Sequence, residues 1–484
     1  MSARLFIILA TSFLLASLSS CYRMRASRGG GQISPVATRN IHPDDIALPP
    51  GYSITAVATG LTFPSAVTFD DQERAYVVET GYSYGEVWEL PRLLRLEPDG
   101  RTTVIAKGGK NGPWTSIVYH NGSFYVSEGG EASGGRILRI SMDGKITPLL
   151  ENLPSMGDHH TNALVIKDGY IYFGQGTATN AGVVGTDNAQ YGWLPRKKDF
   201  HDIPCADVIL AGQNYSTENV LTPAAGDQAV TGAYVPFNTP TRAGQVIKGS
   251  IPCNGSILKI PLEGGKPELV AWGLRNPFGL ALSPDGKIFA TENGFDDRGS
   301  RPVWGAGDVL WEIKQDQWYG WPDFSAGRPM KDLEEFRVPG KPAVKPLLQQ
   351  YPGTPPRPAA VFGVHASANG LDFATGDFGF EGEAFVAEFG DMAPSVGKVL
   401  RPVGFKVVRV NVQTGVIRDF AANKGKRNGP ASWQGSGGLE RPISVRFDPS
   451  HRNLYIVDFG IVRMSDRGAT PEVSTGVIWK ISKD

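Results

Sequence analysis

The chain has 484 residues, and its 48 basic and 48 acidic side chains give a formal net charge of zero. Without a basic excess there is no electrostatic footprint for nucleic acid, which we exclude as a partner. The 60 glycines and 36 prolines, about a fifth of the residues, are spread along the chain. This composition indicates recurrent turns between many short strands.

The first twenty residues are typical of a signal peptide. Arg4 precedes an apolar run from Leu5 to Leu18 that is too short to span a bilayer as a stable helix. The run ends in Leu18-Ser19-Ser20-Cys21, which resembles a bacterial lipobox, so we expect lipidation at Cys21. The alternative is an ordinary signal peptide with an incidental cysteine, and both interpretations predict export.

Residues 21–48 predict a flexible tether, because they are rich in arginine and glycine and poor in apolar side chains. We expect the folded unit to cover residues 49–484. Tyr22, rather than Asp, follows the lipobox cysteine, which favours a protein of the bacterial periplasm held at the outer membrane by its lipid alone.

The remaining cysteines, Cys205 and Cys253, form an even pair in a chain that we expect to be exported. Both follow an Ile-Pro dipeptide, and they bracket a loop-rich segment. An oxidising compartment favours a disulfide between them, and two unpaired buried thiols are the alternative.

A repeated motif organises the rest of the chain. Three copies align without gaps and begin at Phe63-Pro64, Asn276-Pro277 and Arg441-Pro442. Looser copies begin at Trp114, Thr161 and Ala368. A second strand follows each copy, and most copies also have a third and a fourth strand. Six repeats of four antiparallel strands predict an all-β fold, a six-bladed β-propeller.

The segment Tyr52 to Val57 precedes the first copy and could complete the last blade, which ends with its third strand at Ile481. An array of β-sandwiches is the competing interpretation, but it does not need a strand before the first copy. Two segments rich in proline and glycine, residues 175–255 and 319–360, interrupt the repeat. We expect them to form long loops over one face.

Residues just before the first strand of each blade should gather at one mouth of the central channel. These positions carry cations, imidazoles and amides in five of the six copies: Lys110, His159, His160, Arg275, Asn276, His365 and Arg441. Such a set suits an anionic cofactor or a developing oxyanion. The alternative for each residue is a structural hydrogen bond.

Three motifs in this region resemble those of a known family. They are Asp158-His159-His160 after Leu153-Pro154-Ser155, then Gly273-Leu274-Arg275-Asn276-Pro277-Phe278-Gly279-Leu280, and then Tyr319-Gly320-Trp321-Pro322. From about Pro49 to Asp484 the chain is similar to the soluble sugar dehydrogenases that use pyrroloquinoline quinone (PQQ), the glucose/sorbosone dehydrogenase family. The resemblance implies PQQ and Ca²⁺ at the channel mouth and oxidation of a sugar hydroxyl by hydride transfer.

Roles for individual residues follow from this resemblance. His159 would take the hydroxyl proton, while Arg275 and Asn276 would contact the quinone and Arg275 would also stabilise charge during catalysis. Arg441 would bind the cofactor carboxylates, and the carbonyls of Gly294 and Phe295 would bind Ca²⁺. Three acidic residues could add metal ligands or could be solvated turn residues: Asp296, Asp297 and Asp308.

The sequence departs from the family pattern at several of these positions. Thr177 stands where the family has an aspartate that orients the histidine, and Lys110 stands in place of a glutamine near the quinone. Ile443 replaces a second arginine. The family's cofactor lysine has only Lys398 and Lys406 as candidates.

Two classes of function therefore remain open. The first is a dehydrogenase for a sugar or other alcohol that passes its electrons to an external acceptor. The chain has no CxxCH haem motif, so a cytochrome acceptor would be a separate protein. The second is a propeller without the cofactor that binds a glycan or a protein, or a metal-dependent, lactonase-like hydrolase. His159, Arg275, Asn276 and Arg441 favour the first class.

Overall fold

The computed structural model describes residues 38–81, 89–130, 133–190, 192–465 and 468–484. Its main sheets are six antiparallel blades arranged as a β-propeller, which confirms the predicted fold class. In blades 1 to 5 the first four strands follow one another from the channel outwards, so each of these blades is one copy of the sequence repeat.

Every blade has four strands, counted from the first, at the channel, to the fourth, at the rim. Blades 1 and 2 consist of Pro64–Phe69, Ala75–Glu79, Arg92–Leu96 and Thr102–Lys107, then Trp114–His120, Ser123–Glu128, Gly135–Ser141 and Ile146–Leu153. Blades 3 and 4 consist of Thr161–Lys167, Tyr170–Gln175, Ser256–Pro261 and Glu268–Trp272, then Pro277–Leu282, Ile288–Glu292, Gly307–Ile313 and Ala360–Val364. Blades 5 and 6 consist of Ala368–Phe373, Ala384–Glu388, Lys406–Asn411 and Val416–Asn423, then Pro442–Phe447, Asn453–Asp458, Gly476–Lys483 and Tyr52–Leu61.

Blade 6 closes the ring with a strand from the other end of the chain. Tyr52–Leu61 pairs antiparallel with Gly476–Lys483, with Tyr52 opposite Lys483 and Leu61 opposite Gly476. Each first strand contacts the first strand of the next blade, and that of blade 6 contacts that of blade 1. The predicted closure by the segment after Pro49 is confirmed.

The hydrophobic core lies between neighbouring blades, which is why the second strands are almost continuously apolar rather than alternating. Between blades 1 and 2, for example, Tyr76 and Phe124 pack with ring centroids 4.6 Å apart. Val78, Val126 and Leu138 complete this cluster and are buried. Both faces of each sheet are therefore covered by side chains of the blades beside it.

The residues just before the first blade contact the propeller. Ile46–Ala47 pairs with the fourth strand of blade 5, and a 3₁₀ turn at Pro43–Asp45 precedes it. Arg39 forms an ion pair with Asp458, and both side chains are almost completely buried. Residues 38–48 thus differ from the predicted tether, because a buried ion pair and a short strand pairing hold them. The predicted signal peptide and Cys21 lie outside the described residues.

Two long excursions leave the blades. Residues 176–255, between the second and third strands of blade 3, contain the helices Thr186–Gln190 and Trp193–Arg196 and the strand pairs Val208–Ala211 with Ala243–Ile247 and Tyr215–Glu218 with Gln228–Thr231. We call this segment the blade 3 excursion. The second excursion, residues 314–359, follows the third strand of blade 4. Its first strand, Gln317–Trp318, pairs in parallel with the fourth strand of blade 3. It also contains the strand pair Phe324–Ser325 with Arg328–Pro329 and 3₁₀ turns at Met330–Asp332 and Glu334–Phe336.

The two excursions pack into one hydrophobic cluster, and a bridge joins Leu210 to Leu348. A disulfide joins Cys205 to Cys253 at the base of the blade 3 excursion, as predicted. The remaining elements are the 3₁₀ turn Gly376–Phe378, the helix Ala431–Gln434 and the strand pair Val462–Ser465 with Gly468–Pro471. In the described part of the chain we find no helix long and apolar enough to cross a membrane.

Candidate active site

A cavity of about 400 Å³ opens at the mouth of the channel, where the chain enters the first strands and leaves the second strands. Two of its walls differ in character. We call the first the blade 3–4 wall, formed by Asp158, His159, Arg275, Asn276, Asp296 and Arg298. We call the second the blade 5–6 wall, formed by Gly390, Met392, Val396 and Ala469. His365 and Asp308 lie beside the first wall, and Trp193 and Arg196 of the blade 3 excursion cover it.

His159 is held by Thr177, which comes directly after the second strand of blade 3. The Nδ1 atom of His159 lies 3.0 Å from both the carbonyl oxygen and the hydroxyl of Thr177. That hydroxyl donates its own proton to the carbonyl of Thr179, so it can only accept from the imidazole. Nδ1 therefore carries the proton, and Nε2 is left as the basic nitrogen on the side that lines the cavity.

The imidazole is also kept neutral by its surroundings. Burial, together with the positive charges of Arg275 and Arg298, lowers the pKa of His159 well below its usual value of 6.5. A neutral imidazole with a protonated Nδ1 can take a proton at Nε2. The threonine thus orients the histidine as the expected aspartate would, but it adds no negative charge that would raise the basicity.

Asp202 supports this arrangement from the blade 3 excursion. Its carboxylate accepts hydrogen bonds from the backbone N–H of Ala178 and from the hydroxyl of Thr179. Burial raises the pKa of Asp202 to about 7. Next to it, Ile203 donates to the side chain of Asn254, which donates in turn to the carbonyl of Gly176. The disulfide lies beside this contact, so it braces the loop that holds His159.

The guanidinium of Arg275 is fixed by Asp296 of its own wall and by Asn180 of the blade 3 excursion. It donates to Asp296 at 2.8 Å and to the backbone and side-chain oxygens of Asn180 at 3.0 and 2.9 Å. Its other terminal nitrogen is 3.4 Å from the carbonyl of Asn293. The pKa of Asp296 is lowered, although burial opposes this, because the charges of Arg275 and Arg298 outweigh the desolvation.

Arg298 joins three separate carboxylates. It forms ion pairs with Asp158 of blade 3, Asp187 of the first excursion helix and Asp296 of its own loop, at 2.9, 2.7 and 3.1 Å. Sequence reasoning missed this arginine, because its partners lie up to 140 positions away. Arg298 ties the blade 3 excursion to the blade 3–4 wall.

Below the cavity a chain of amides crosses the channel. Asn162 donates to Asn276, Asn276 donates to Asn293, and Asn293 donates to Asn369, so the chain runs from blade 3 to blade 5. These amides line a smaller space of about 110 Å³, which His160 also lines. His159 lines this smaller space as well as the main cavity, whereas His160 lines the smaller space alone.

Of the two predicted calcium ligands, Gly294 lines the cavity, whereas Phe295 is buried in the hydrophobic cluster of the excursions and does not line it. The N–H of Gly294 donates to Asp308 at 2.7 Å. The other oxygen of Asp308 accepts from the backbone of Ala368, and burial raises the pKa of Asp308. Asp296 and Asp308 are thus buried groups and not solvated turn residues. The described residues contain no cluster of three or more His, Cys, Asp or Glu side chains with metal-binding geometry.

Two predicted cofactor residues are not among the residues that line the cavity. Lys110 is exposed on the connection between blades 1 and 2. Arg441 is completely buried, lies between the rings of Phe389 and Phe405, and donates to the carbonyls of Gly390 and Asp391. A position just before a first strand therefore does not determine whether a side chain lines the cavity. Lys398 and Lys406 do not line the cavity either.

Comparison with known proteins agrees with the motif resemblance. The model of the glucose/sorbosone dehydrogenase family matches residues 216–393, which include the motifs at Arg275 and Tyr319. This match confirms the family resemblance inferred from the motifs. A comparison with curated protein sequences gave no match.

Solved structures share the fold at low sequence identity. A carbohydrate-active enzyme of family AA12 from Trichoderma reesei superposes with a TM-score of 0.54 and 17% identity, over 93% of this chain and 100% of that chain. The PQQ domain of pyranose dehydrogenase from Coprinopsis cinerea gives 0.53 and 15%, over 93% and 98%. The soluble aldose sugar dehydrogenase from Escherichia coli gives 0.51 and 13%, over 90% and 100%. At these identities the comparison supports the fold alone.

Proposed function

We propose that this protein is an oxidoreductase that oxidises a hydroxyl group of a sugar or related alcohol in the channel-mouth cavity. The observation that carries the proposal is His159, a buried neutral imidazole whose Nδ1–H is fixed by Thr177 and whose Nε2 is left for the cavity. The similarity to the glucose/sorbosone dehydrogenases supports a sugar as the substrate class.

In this reaction the substrate hydroxyl donates its proton to Nε2 of His159, and the carbon loses a hydride, so the alcohol becomes a carbonyl. The lowered pKa keeps His159 ready to accept the proton. Once protonated, the imidazolium is close to Asp296, whose negative charge favours the charged form. The cavity volume of about 400 Å³ lies within the usual range for small-molecule sites.

PQQ would supply the hydride acceptor when bound. The fit rests on guanidinium groups that line the cavity: Arg275 and Arg298 on the blade 3–4 wall and Arg196 on the blade 3 excursion that covers it. Planar guanidinium groups suit carboxylates and quinone oxygens. Asn276 adds an amide at the same wall. The apolar blade 5–6 wall would cover one face of a flat ring system.

Calcium would complete this site through oxygen donors. The carbonyls of Gly294 and Phe295 are the proposed protein ligands, and carbonyl oxygens suit a hard cation. With two such ligands from the protein, the other oxygens would come from the cofactor and from water. The metal would then bind together with the cofactor rather than to the protein alone.

We also propose that the protein is exported and is lipidated at Cys21. The lipobox-like sequence supports this, and the Cys205–Cys253 disulfide is consistent with an oxidising compartment. The electrons would pass to an external acceptor, such as a separate cytochrome.

Reconstitution tests the function directly. The purified protein is loaded with PQQ and Ca²⁺, and reduction of a dye is followed over a panel of aldoses, polyols and simple alcohols, with His159→Ala as the control. We expect dye reduction with at least one sugar and a rate at least about 100-fold lower with the variant. Tight PQQ binding with no activity on the panel would contradict a sugar substrate. Failure to bind PQQ would favour the cofactor-free propeller, either a binding protein or a hydrolase.

A further inference from the structure

One surface of the protein is strongly basic although the whole chain has no net charge. Two connections at blade 5 form it, residues 389–405 and 424–440, and their two acidic side chains, Asp391 and Glu440, are buried. Their cationic side chains are all exposed: Lys398, Arg401, Lys424, Lys426 and Arg427. We call this surface the blade 5 basic face. Such an excess of one sign marks a site that attracts an anionic partner.

The two connections form one continuous surface. Asn428, next to Arg427, donates to the carbonyls of Pro402 and Gly404, next to Arg401. The rings of Phe405 and Trp433 lie 5.6 Å apart across the same junction. The cations of both connections are therefore close enough to contact one partner together.

Large apolar side chains are exposed among these cations. Leu400 is 98% exposed and Trp433 is 50% exposed, the first being the most exposed large hydrophobic residue that the structure describes. A basic surface that also presents leucine and tryptophan is typical of binding at the interface of an anionic bilayer, where cations contact headgroups and the apolar side chains insert.

The path of the N-terminal segment favours a membrane over another partner. His42 and Asp45 form hydrogen bonds with Gly437, and the backbone N–H of Lys424 donates to the carbonyl of Asp45. The chain between Cys21 and residue 38 can extend by at most about 60 Å. A bilayer that holds a lipid at Cys21 would therefore be within reach of the basic face.

We propose that the blade 5 basic face binds the surface of an anionic membrane, with Leu400 and Trp433 inserted at the headgroup level. Lys424 donates to the backbone carbonyls of Asp44 and Asp45. Lys398 lies 3.7 Å from the carboxylate of Asp297. Lys426, Arg427 and Arg401 should therefore contribute most of the attraction. Because Met392 and Val396 of the same connection line the cavity, the docked protein would hold its active-site mouth beside the bilayer.

Vesicle binding by the unlipidated chain carrying Cys21→Ala tests this proposal. We expect it to co-sediment at low salt with vesicles of phosphatidylethanolamine and phosphatidylglycerol, to bind pure phosphatidylcholine much more weakly, and to be released by salt. Each cation contributes roughly fivefold in affinity near such a surface, so Lys426→Glu/Arg427→Glu should weaken binding at least about 25-fold. Leu400→Ser/Trp433→Ser should weaken it as well.

The matched control is Lys287→Glu/Lys314→Glu, which changes the net charge equally but lies on blade 4, where Asp285 and Glu312 are paired with these lysines. It should bind vesicles nearly as well as the parent chain. A thermal unfolding measurement on each variant checks that it is folded. No binding to anionic vesicles, or equal losses in the two charge-reversal variants, would overturn the proposal and would leave an acidic protein as the remaining occupant.

Discussion

The two walls of the cavity differ in the segments of the chain that hold their lining residues in place. On the blade 3–4 wall, His159, Arg275 and Arg298 are each held by residues of the blade 3 excursion, namely Thr177, Asn180 and Asp187. The blade 5–6 wall is made of shorter connections and presents small or apolar residues such as Met392 and Ala469. The comparison indicates that the reacting groups lie where the blade 3 excursion can hold them in position, while the blade 5–6 wall only limits the volume of the cavity.

The largest effect should come from the base on the blade 3–4 wall. His159→Ala should reduce turnover by roughly 10²–10⁴-fold, the usual contribution of a general base, with little change in folding. His160→Ala is the matched control, because it removes the adjacent imidazole, which faces the smaller channel space. Steady-state kinetics of both reconstituted variants measure this difference, and equal losses would contradict the assignment.

Removing the brace behind that wall should cost stability. The double variant Cys205→Ser/Cys253→Ser should lower the free energy of unfolding by about 2–4 kcal/mol, since the bond closes a long loop. Denaturant unfolding measures it, and the wild type reduced with dithiothreitol should behave like the variant. Turnover should also fall, because the segment carrying Asp202 is attached there. A change well under 1 kcal/mol would show that the excursion does not depend on this bond.

Thr177 should have a smaller effect. Thr177→Val removes the hydroxyl that accepts from Nδ1 of His159 but leaves the backbone acceptor in place. A neutral hydrogen bond contributes about 0.5–1.5 kcal/mol, so turnover should fall roughly 2–12-fold. Thr177→Ser keeps the hydroxyl and should retain most of the activity. If serine and valine variants are equally impaired, the hydroxyl does not orient the histidine.

The smallest expected effect is on the pH dependence of kcat/KM. Protonation of His159 removes the base, and its pKa is lowered, so activity should persist to lower pH than an ordinary histidine allows. The acid limb of kcat/KM should therefore have its midpoint below pH 6.5. Arg275→Gln removes one of the charges that lower this pKa, so the midpoint of the residual activity should move up. A wild-type midpoint above 6.5 would contradict the neutral imidazole.

Much of the fold follows from local sequence. The copies beginning at Phe63, Asn276 and Arg441 repeat one hairpin, and a strand before the first copy is enough to infer ring closure. His159, Arg275 and Asn276 can be located because they directly precede first strands, whose positions the repeat determines.

The rest of the site depends on contacts that no local pattern records. Arg298 and Asp202 act through partners on other segments, and the excursion that supplies those partners has no repeat to align. Arg441 occupies the right position before its strand, but its side chain packs between two phenylalanines that lie elsewhere in the sequence. Similarly, Ile46 joins a sheet whose other strands are more than 300 residues away.

The most direct test of the account is PQQ binding to the apo-protein in the presence of Ca²⁺, measured by equilibrium dialysis for the wild type, Arg275→Gln and Arg441→Met. Loss of a charge-assisted hydrogen bond on the blade 3–4 wall should weaken binding at least about tenfold in Arg275→Gln. Arg441→Met, checked for folding by thermal unfolding, should change the Kd by less than about threefold, because a residue behind the wall makes no such bond. Weakened binding in Arg441→Met with Arg275→Gln unaffected would contradict the assignment of the chemistry to blades 3 and 4.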